Sequence, residues 1–400
     1  MFVKLIKYLL SIFYSLLKFF IKKRNIILIN AHHPELYCDN TKYLFEYLSL
    51  NTSHEIYWIS KNNDVIKYLK KNGYKSLDIR KIRIYLYSLY LLSKSKVIIN
   101  NGTKYFNPIK LKLDDIIKIT TFHGNGPKTV TTPSIESDEI SDVNQFDYIN
   151  FTSDYLIEKC AQEIYHIPNN KLIKLGYPRC DQFFDSDYVQ DSYNKKNITN
   201  ELLNYKYDGK GKIILYTPTW RPYKYNFPLF MLNDLNNIDQ LNQYYLENDI
   251  YFFYSVHSAF NVPKNLPEKE RVILIDSINE HHLYDTNSFM LEVDILINDY
   301  STTSTDFALL NRPQIFFMPD YERYEKEKGF IEDYRECMPG KEVTNLTEFT
   351  STIDLYLSNP DLYRSDYKSR IDKYLINYYD LKKGNSSELF TSFINSLIID

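Results

Sequence analysis

Glycine and proline are scarce, with 10 and 15 copies in 400 residues, and this excludes a collagenous or low-complexity chain. Cysteine is scarcer still. Cys38, Cys160, Cys180 and Cys337 lie far apart, with no C-x-x-C pair and no His/Cys spacing of a zinc site. That pattern excludes a disulfide framework and suits reduced, structural thiols. Neither sign of charge is in excess: 48 Lys and Arg face 51 Asp and Glu, a net charge of -3. The basic footprint usual in nucleic-acid-binding domains is therefore missing, and no nucleic-acid partner is expected. No internal period of solenoid length occurs. Aromatic residues are abundant, with 38 Tyr and 24 Phe. Hydrophobic residues reach 44% and charged residues 25%, the proportions of a globular protein. A chain of this length holds two or three domains.

Residues 3–21 read VKLIKYLLSIFYSLLKFFI, 14 of 19 of them apolar, and Lys22, Lys23 and Arg24 follow. On a helix, Lys4, Lys7, Ser11, Ser15, Lys18 and Lys22 fall within an arc of about 80°. A spanning helix loses free energy for each lysine held in hydrocarbon. An interfacial helix gains from both faces, apolar side chains in acyl chains and lysines on anionic headgroups. A true anchor and a helix packed on the protein are the alternatives, and the two-faced pattern favours a membrane-associating amphipathic helix over 1–24. No small-residue cleavage site follows, so a cleaved signal peptide is not expected.

Beyond it, Ile- and Val-rich runs at 25–30, 55–60, 96–100, 116–121 and 171–176 alternate with helical patterns at 40–50, 62–71, 81–93 and 153–164. Strands without polar alternation belong to a parallel sheet covered on both faces. The fold class is α/β, with one Rossmann-like domain over 25–185. Residues 186–211 turn polar and read as a linker. A second series follows over 212–400: strands at 212–217, 250–256, 271–276, 294–299 and 314–318, helices at 231–247 and 304–311, and a helical tail from 345. Two such domains would face each other across a cleft. Open parallel sheets bind ligands beyond the carboxyl ends of their strands, so post-strand segments carry the most weight.

Five of these stand out. His123 follows a strand and opens a loop in which Gly124 and Gly126 let backbone amides approach an anion. The loop is not a P-loop, which needs Gly directly before Lys and another Gly five residues earlier, where Thr121 stands. Arg179 sits in LGYPRCD, where a guanidinium can grip a phosphate or carboxylate or merely occupy a turn set by Pro178. In YTPTWRPY a strand ends at Pro218, Thr219, Trp220 and Arg221, which suits a nucleotide phosphate or base, or a packed corner. FFYSVHS ends a strand at His257, and two post-strand histidines in facing domains make a pair that neither makes alone. DILINDYSTTSTDFALLNRP delivers Asp299, a hydroxyl-rich turn over Ser301–Thr305, and a helix carrying Asp306. Exposed amides at a helix start bind phosphate without a lysine, and Asp306 is better suited to sugar hydroxyls. His32 and His33 follow the first strand on the same edge. The DSD at 185–187 reads as solvated loop, and no metal site is expected.

Taken together, these segments resemble the CDP-glycerol glycerophosphotransferase family, the teichoic-acid primases and polymerases. The residues that carry the likeness are Phe122–Thr129, Gly176–Asp181, Pro218–Arg221, Ser255–Ser258 and Asp299–Pro313, the last ending in FALLNRP. The resemblance implies a GT-B fold, with an acceptor domain at 25–185 and a CDP-donor domain at 212–400. It implies that His123 is the general base on the acceptor hydroxyl, which attacks the β-phosphorus of a CDP-alcohol and releases CMP. His257, Arg179 and the amides of Ser301 and Thr302 would hold the pyrophosphate, with Gly124 close by. Pro218, Thr219, Trp220 and Arg221 would flank the nucleotide, and Asp306 would bond donor hydroxyls. CDP-glycerol or CDP-ribitol would be the donor, with no cofactor, and a lipid-linked or capsular polymer the acceptor, at the cytoplasmic face of a bacterial membrane. The rival readings are a GT-B glycosyltransferase using a nucleotide sugar and a non-catalytic GT-B-like membrane scaffold.

Overall fold

The computed structural model describes residues 2–80, 82–105, 107, 111, 113–124, 126–127, 137–184, 210–219, 221, 235–255, 268–275 and 285–398. Trp220, His257 and nearly all of the expected linker lie outside these residues.

The first half runs α1 (Phe2–Phe20), β1 (Ile26–Asn30), α2 (Asp39–Asn51), β2 (Glu55–Ser60), α3 (Asn63–Lys71), β3 (Ser76–Asp78), α4 (Ile82–Lys94) and β4 (Ser95–Asn100). It continues with β5 (Ile117–Thr120), α5 (Ser137–Val143), β6 (Tyr148–Phe151), α6 (Asp154–Leu156) and β7 (Leu172–Lys174). The second half runs β8 (Lys212–Tyr216), α7 (Leu235–Glu247), β9 (Ile250–Tyr254), β10 (Val272–Leu274), α8 (Thr286–Met290), β11 (Ile295–Asn298), α9 (Thr303–Ala308) and β12 (Gln314–Phe317). It closes with α10 (Tyr321–Glu327), α11 (Tyr334–Cys337), β13 (Lys341–Val343), α12 (Leu346–Ser358), α13 (Pro360–Tyr378) and α14 (Ser386–Ile398).

The strands form two sheets, seven-stranded in the order β3-β2-β1-β4-β5-β6-β7 and six-stranded in the order β10-β9-β8-β11-β12-β13. Every described pairing is parallel, with Leu28 of β1 beside Tyr57 on one side and Ile98 on the other. Full burial of β1, β9 and β11 accounts for their apolar sequences, broken only by the terminal Asn30 of β1 and Asn298 of β11. In each sheet the strand order reverses beside the first strand, between β1 and β4 and between β8 and β11. These are the switch points at which doubly wound sheets bind ligands.

Three strands escape the apolar-run pattern. β3 and β13 are edge strands of three residues. β6 carries a buried Asn150, whose Nδ2 donates to Thr121 O (3.2 Å) and Gly176 O (2.8 Å). The helix expected over 153–164 is one turn, α6, that widens into a π-type turn over Ile157–Gln162.

The C-terminal tail does not stay with the second sheet. Phe390, Ile394 and Ile398 of α14 pack in one cluster with Ile27, Ile29, Leu44 and Leu48 of the first half. The Asp181 carboxylate accepts the first amides of α14, from Ser386 and Ser387, at 2.8 Å each. Burial nevertheless pushes its pKa up to about 6. At the end of α13, Thr152 Oγ1 donates to Tyr378 O at 2.6 Å. The periodicity predicts these helices correctly, but a lone amphipathic face does not say which sheet it covers.

Helix α1 lies against α4. Tyr14 is buried there, with Leu10 and Leu17 beside it, and Lys18 and Lys23 both pair with Asp115, at 2.5 and 2.8 Å. The apolar side is thus split, for Tyr8, Ile12, Phe13, Leu16, Phe19 and Phe20 remain exposed, as do Leu86 and Tyr87 of α4. No helix among the described residues is long and apolar enough to cross a membrane.

Candidate active site

The carboxyl ends of the two sheets face one cleft of about 280 Å³. From the first half, Asp39, His123 and Arg179 line it. From the second come Thr217, Pro218 and Ser255 at strand ends, with Asn287, Ser301, Thr302 and Asp306. Both switch points therefore open onto the same space.

His123 stands three residues beyond Thr120 at the end of β5, on a backbone turned sharply by Phe122. Phe122 has φ +56, a left-handed conformation that costs a bulky residue energy and persists only where neighbours hold it. Here Thr120 Oγ1 accepts the Phe122 amide at 3.1 Å and Asn40 Nδ2 donates to Phe122 O at 2.8 Å. His123 itself is exposed to the cleft. Its Nδ1 lies 2.9 Å from Asn101 O. A carbonyl only accepts, so the neutral ring carries its proton on Nδ1 and its lone pair on Nε2. That is the tautomer of a general base.

Gly124 follows at φ +152. A Cβ on it would lie 2.6 Å from Thr302 Oγ1, and one on Gly126 would lie 3.0 Å from Thr302 Cγ2. The glycines let a loop of the first half touch a turn of the second.

Arg179 lines the cleft but is nearly fully buried, its guanidinium turned to protein partners. Its Nε donates to Asp306 Oδ2 (2.8 Å) and Nη2 to Asp306 Oδ1 (3.3 Å), while Nη1 donates to Asp39 Oδ1 (2.5 Å) and His123 O (2.9 Å). Burial alone would depress this guanidinium, but Asp306 and then Asp39 hold its pKa well above the ordinary value. Four of its five N–H groups are engaged by protein, so in this arrangement it joins the two halves and offers little to an anion. Asp306 is likewise held, by Arg179 and by Asn287 Nδ2 at 3.0 Å. A second buried clasp pairs Lys42 of α2 with Asp285 ahead of α8 at 3.0 Å, and Tyr43 hydrogen-bonds the same carboxylate.

Thr219 and Arg221 lie beneath the cleft. Asp299, fully buried at the end of β11, accepts from Thr219 N and Oγ1 (2.6 Å for the hydroxyl) and from Arg221 Nη1 at 2.7 Å. Arg221 also pairs with Asp320 at 2.7 Å. Their side chains build the floor, leaving Thr217 and Pro218 to face the ligand space. In the hydroxyl-rich turn, Ser301, Thr302 and Thr303 line the cleft. Ser304 turns inward to Gln314 at 2.8 Å and Thr305 to Tyr374 at 3.3 Å. Helix α9 is six residues long, shorter than the expected 304–311, so this end supplies amides and hydroxyls rather than a strong macrodipole.

Several residues of the site escape the sequence reading. Asp39 lies at a loop-to-helix junction with φ +65, a conformation no motif announces. Asn287 sits in a five-residue helix without a recognisable pattern. Asn101 had a signal in Asn100-Asn101-Gly102, a turn sequence directly after β4. Thr217 was within reach as the first residue beyond β8. Among the described residues no group of three or more His, Cys, Asp and Glu is arranged to hold a metal ion.

A family model described as CDP-glycerol:poly(glycerophosphate) glycerophosphotransferase matches residues 11–395. The teichoic acid glycerol-phosphate primase of Bacillus subtilis (strain 168) is 27% identical over 320 residues, 78% of this chain and 76% of that protein. The teichoic acid poly(glycerol phosphate) polymerase of Bacillus spizizenii is 25% identical over 409 aligned residues, 94% of each. Among solved structures, a variant of the wall teichoic acid polymerase TagF soaked with CDPG superposes with a TM-score of 0.72. It is 21% identical and covers 96% of this chain and 92% of its own, a likeness that speaks to the fold. With the model spanning nearly the whole length, both sheets and every cleft residue named above, the chain belongs to the CDP-glycerol:poly(glycerophosphate) glycerophosphotransferase family.

Proposed function

We propose that this protein transfers glycerol phosphate from CDP-glycerol to a hydroxyl of a teichoic acid acceptor and releases CMP. The observation that carries the reading is the His123 imidazole. Asn101 O accepts its Nδ1–H, and the ring stands across one cleft from the Ser301–Thr302 turn. His123 Nε2 takes the proton of the acceptor hydroxyl as the oxygen attacks the β-phosphorus. The new P–O bond forms as the bond to CMP breaks, and the electron pair leaves on the CMP phosphate. Ser301, Thr302 and the Thr217 hydroxyl meet the charge that develops on the phosphoryl oxygens, the main route to catalysis in phosphoryl transfer. The family resemblance assigns His257, which lies outside the described residues, to the same charge. Pro218 lines the cleft and is assigned to the cytidine by the family resemblance, together with Trp220, which lies outside the described residues; Asp306, also on the cleft wall, is assigned to donor hydroxyls.

The protein works at a membrane surface, on the cytoplasmic face, where lipid-linked acceptors reside. Tyr8, Ile12, Phe13, Leu16, Phe19 and Phe20 of α1 support this: they form one exposed apolar stripe along the helix, and Leu86 and Tyr87 of the neighbouring α4 are exposed as well.

CMP release is measured with CDP-glycerol and CDP-ribitol, each with and without a membrane extract as acceptor. Acceptor-dependent release from CDP-glycerol is expected. Release from CDP-ribitol alone would change the polyol. No release from either donor, with tight binding of a UDP-sugar, would replace the reading by sugar transfer.

A further inference from the structure

Asn101 joins three parts of the first half that no single motif contains. Its main-chain oxygen accepts His123 Nδ1–H at 2.9 Å, its Oδ1 accepts the His32 amide at 2.6 Å, and its Nδ2 donates to Asp39 Oδ2 at 2.7 Å. The two imidazoles it holds are stacked, ring centroids 5.5 Å apart and planes within 20°.

The surroundings are built for this arrangement. Asn100 is fully buried, and its Nδ2 donates to Asn30 O and Ala31 O at 3.2 and 3.1 Å, which fixes the end of β4 against β1. Gly102 follows, and a Cβ there would lie 2.8 Å from His32 Cβ, so only glycine lets the His32 segment come this near. Asp39 in turn holds Arg179, whose guanidinium donates to His123 O. A main-chain carbonyl bonds an imidazole well only if its peptide plane is fixed, and here the fixing is done by the Asn101 side chain.

We propose that Asn101 is a positioning residue: through the Asp39 carboxylate and the His32 amide it sets the carbonyl that selects the tautomer and orientation of His123. It touches neither donor nor acceptor. The proposal rests on the reading of His123 as the base. The Asn101–Asp39 bond is the testable link, because its two ends can be exchanged.

The experiment measures kcat and KM for CDP-glycerol by CMP release with a membrane extract as acceptor. The variants are Asn101→Ala, Asn101→Asp, Asp39→Asn, the exchanged pair Asn101→Asp/Asp39→Asn, and His123→Ala in parallel. Asn101→Ala should lose on the order of 10²-fold in kcat, the scale of a misplaced catalytic group, with KM within about twofold. Asn101→Asp sets two carboxylates against each other and should lose more, and the exchanged pair should regain most of the rate. A rise in KM with kcat unchanged, or no recovery in the exchanged pair, overturns the proposal. If His123→Ala loses its rate while Asn101→Ala keeps kcat, positioning alone falls. If His123→Ala keeps its rate, the base assignment falls, and the proposal with it.

Discussion

Arg179 and Asp306 meet across the cleft, Nε to Oδ2 at 2.8 Å, and both are nearly fully buried. They come from opposite halves of the chain. The same guanidinium reaches Asp39 and the main chain of His123, so the joint between the halves and the placement of the base share one side chain.

Removing Arg179 leaves Asp306 buried, and Asp39 half-buried, without their cation. Breaking a buried pair from one side costs about 3–5 kcal/mol, so Arg179→Met should lower the free energy of unfolding by that amount. The urea midpoint, read at unchanged slope, checks it. A loss below about 1 kcal/mol would mean that the pair is solvated in solution.

His123→Ala should leave the melting temperature nearly unchanged, since the ring is exposed, while CMP release falls about 10²–10⁴-fold, the usual worth of a general base. Retention of most of the rate would assign the proton to another group.

Gly124→Ala drives a methyl into Thr302 Oγ1, 2.6 Å from its ideal position. On the order of tenfold loss in kcat is expected, from loops held apart across the cleft. Thr302→Ala in the same chain relieves the contact and should recover part of that loss. Equal rates in both chains would show that the loops do not meet during turnover.

His32 carries a prediction about pH. Desolvation beside the neighbouring rings, then repulsion by His123 and His33, lowers its pKa to about 4 against attraction by Asp39, and because the residue is itself exposed, solvent screens the effect on stability to a small one. In the unfolded chain it titrates near 6.5. Between those values the unfolded chain binds the extra proton, so stability falls as pH drops from about 6.5 to about 4. His32→Gln should flatten this part of the curve of melting temperature against pH. An identical slope in the variant would assign the effect to other groups.

Helix α1 is bound to the body through Tyr14 and Lys18, and the segment after it through Lys23, so deleting it would confuse membrane binding with folding. Leu16→Glu/Phe19→Glu/Phe20→Glu touches only exposed positions. At about 1.5–3 kcal/mol per apolar side chain removed from lipid, sedimentation with anionic vesicles should weaken at least about 100-fold. The melting temperature should hold. Undiminished sedimentation would place the membrane contact elsewhere.

The sheets were legible because buried parallel strands carry unbroken apolar runs, and the turn after β11 was legible because Asp299, three cleft hydroxyls and Asp306 are adjacent in sequence. Arg179 and Arg221 were harder. Both were read as anion ligands, and each is instead claimed by two carboxylates that lie far from it along the chain. Asp39 and Asn101 act through a backbone conformation and a carbonyl, which residue identity does not encode. The split face of α1 depends on α4, a partner that periodicity within α1 cannot name.

The return of α14 to the first sheet has a genetic consequence. The residues that finish the hydrophobic cover of Ile27 and Ile29 are synthesised after the second sheet, so the first half cannot complete its core until translation has passed that sheet. A stop codon just after Gly384 would therefore injure the first sheet, made before the second, and would leave the Asp181 carboxylate without the helix it caps.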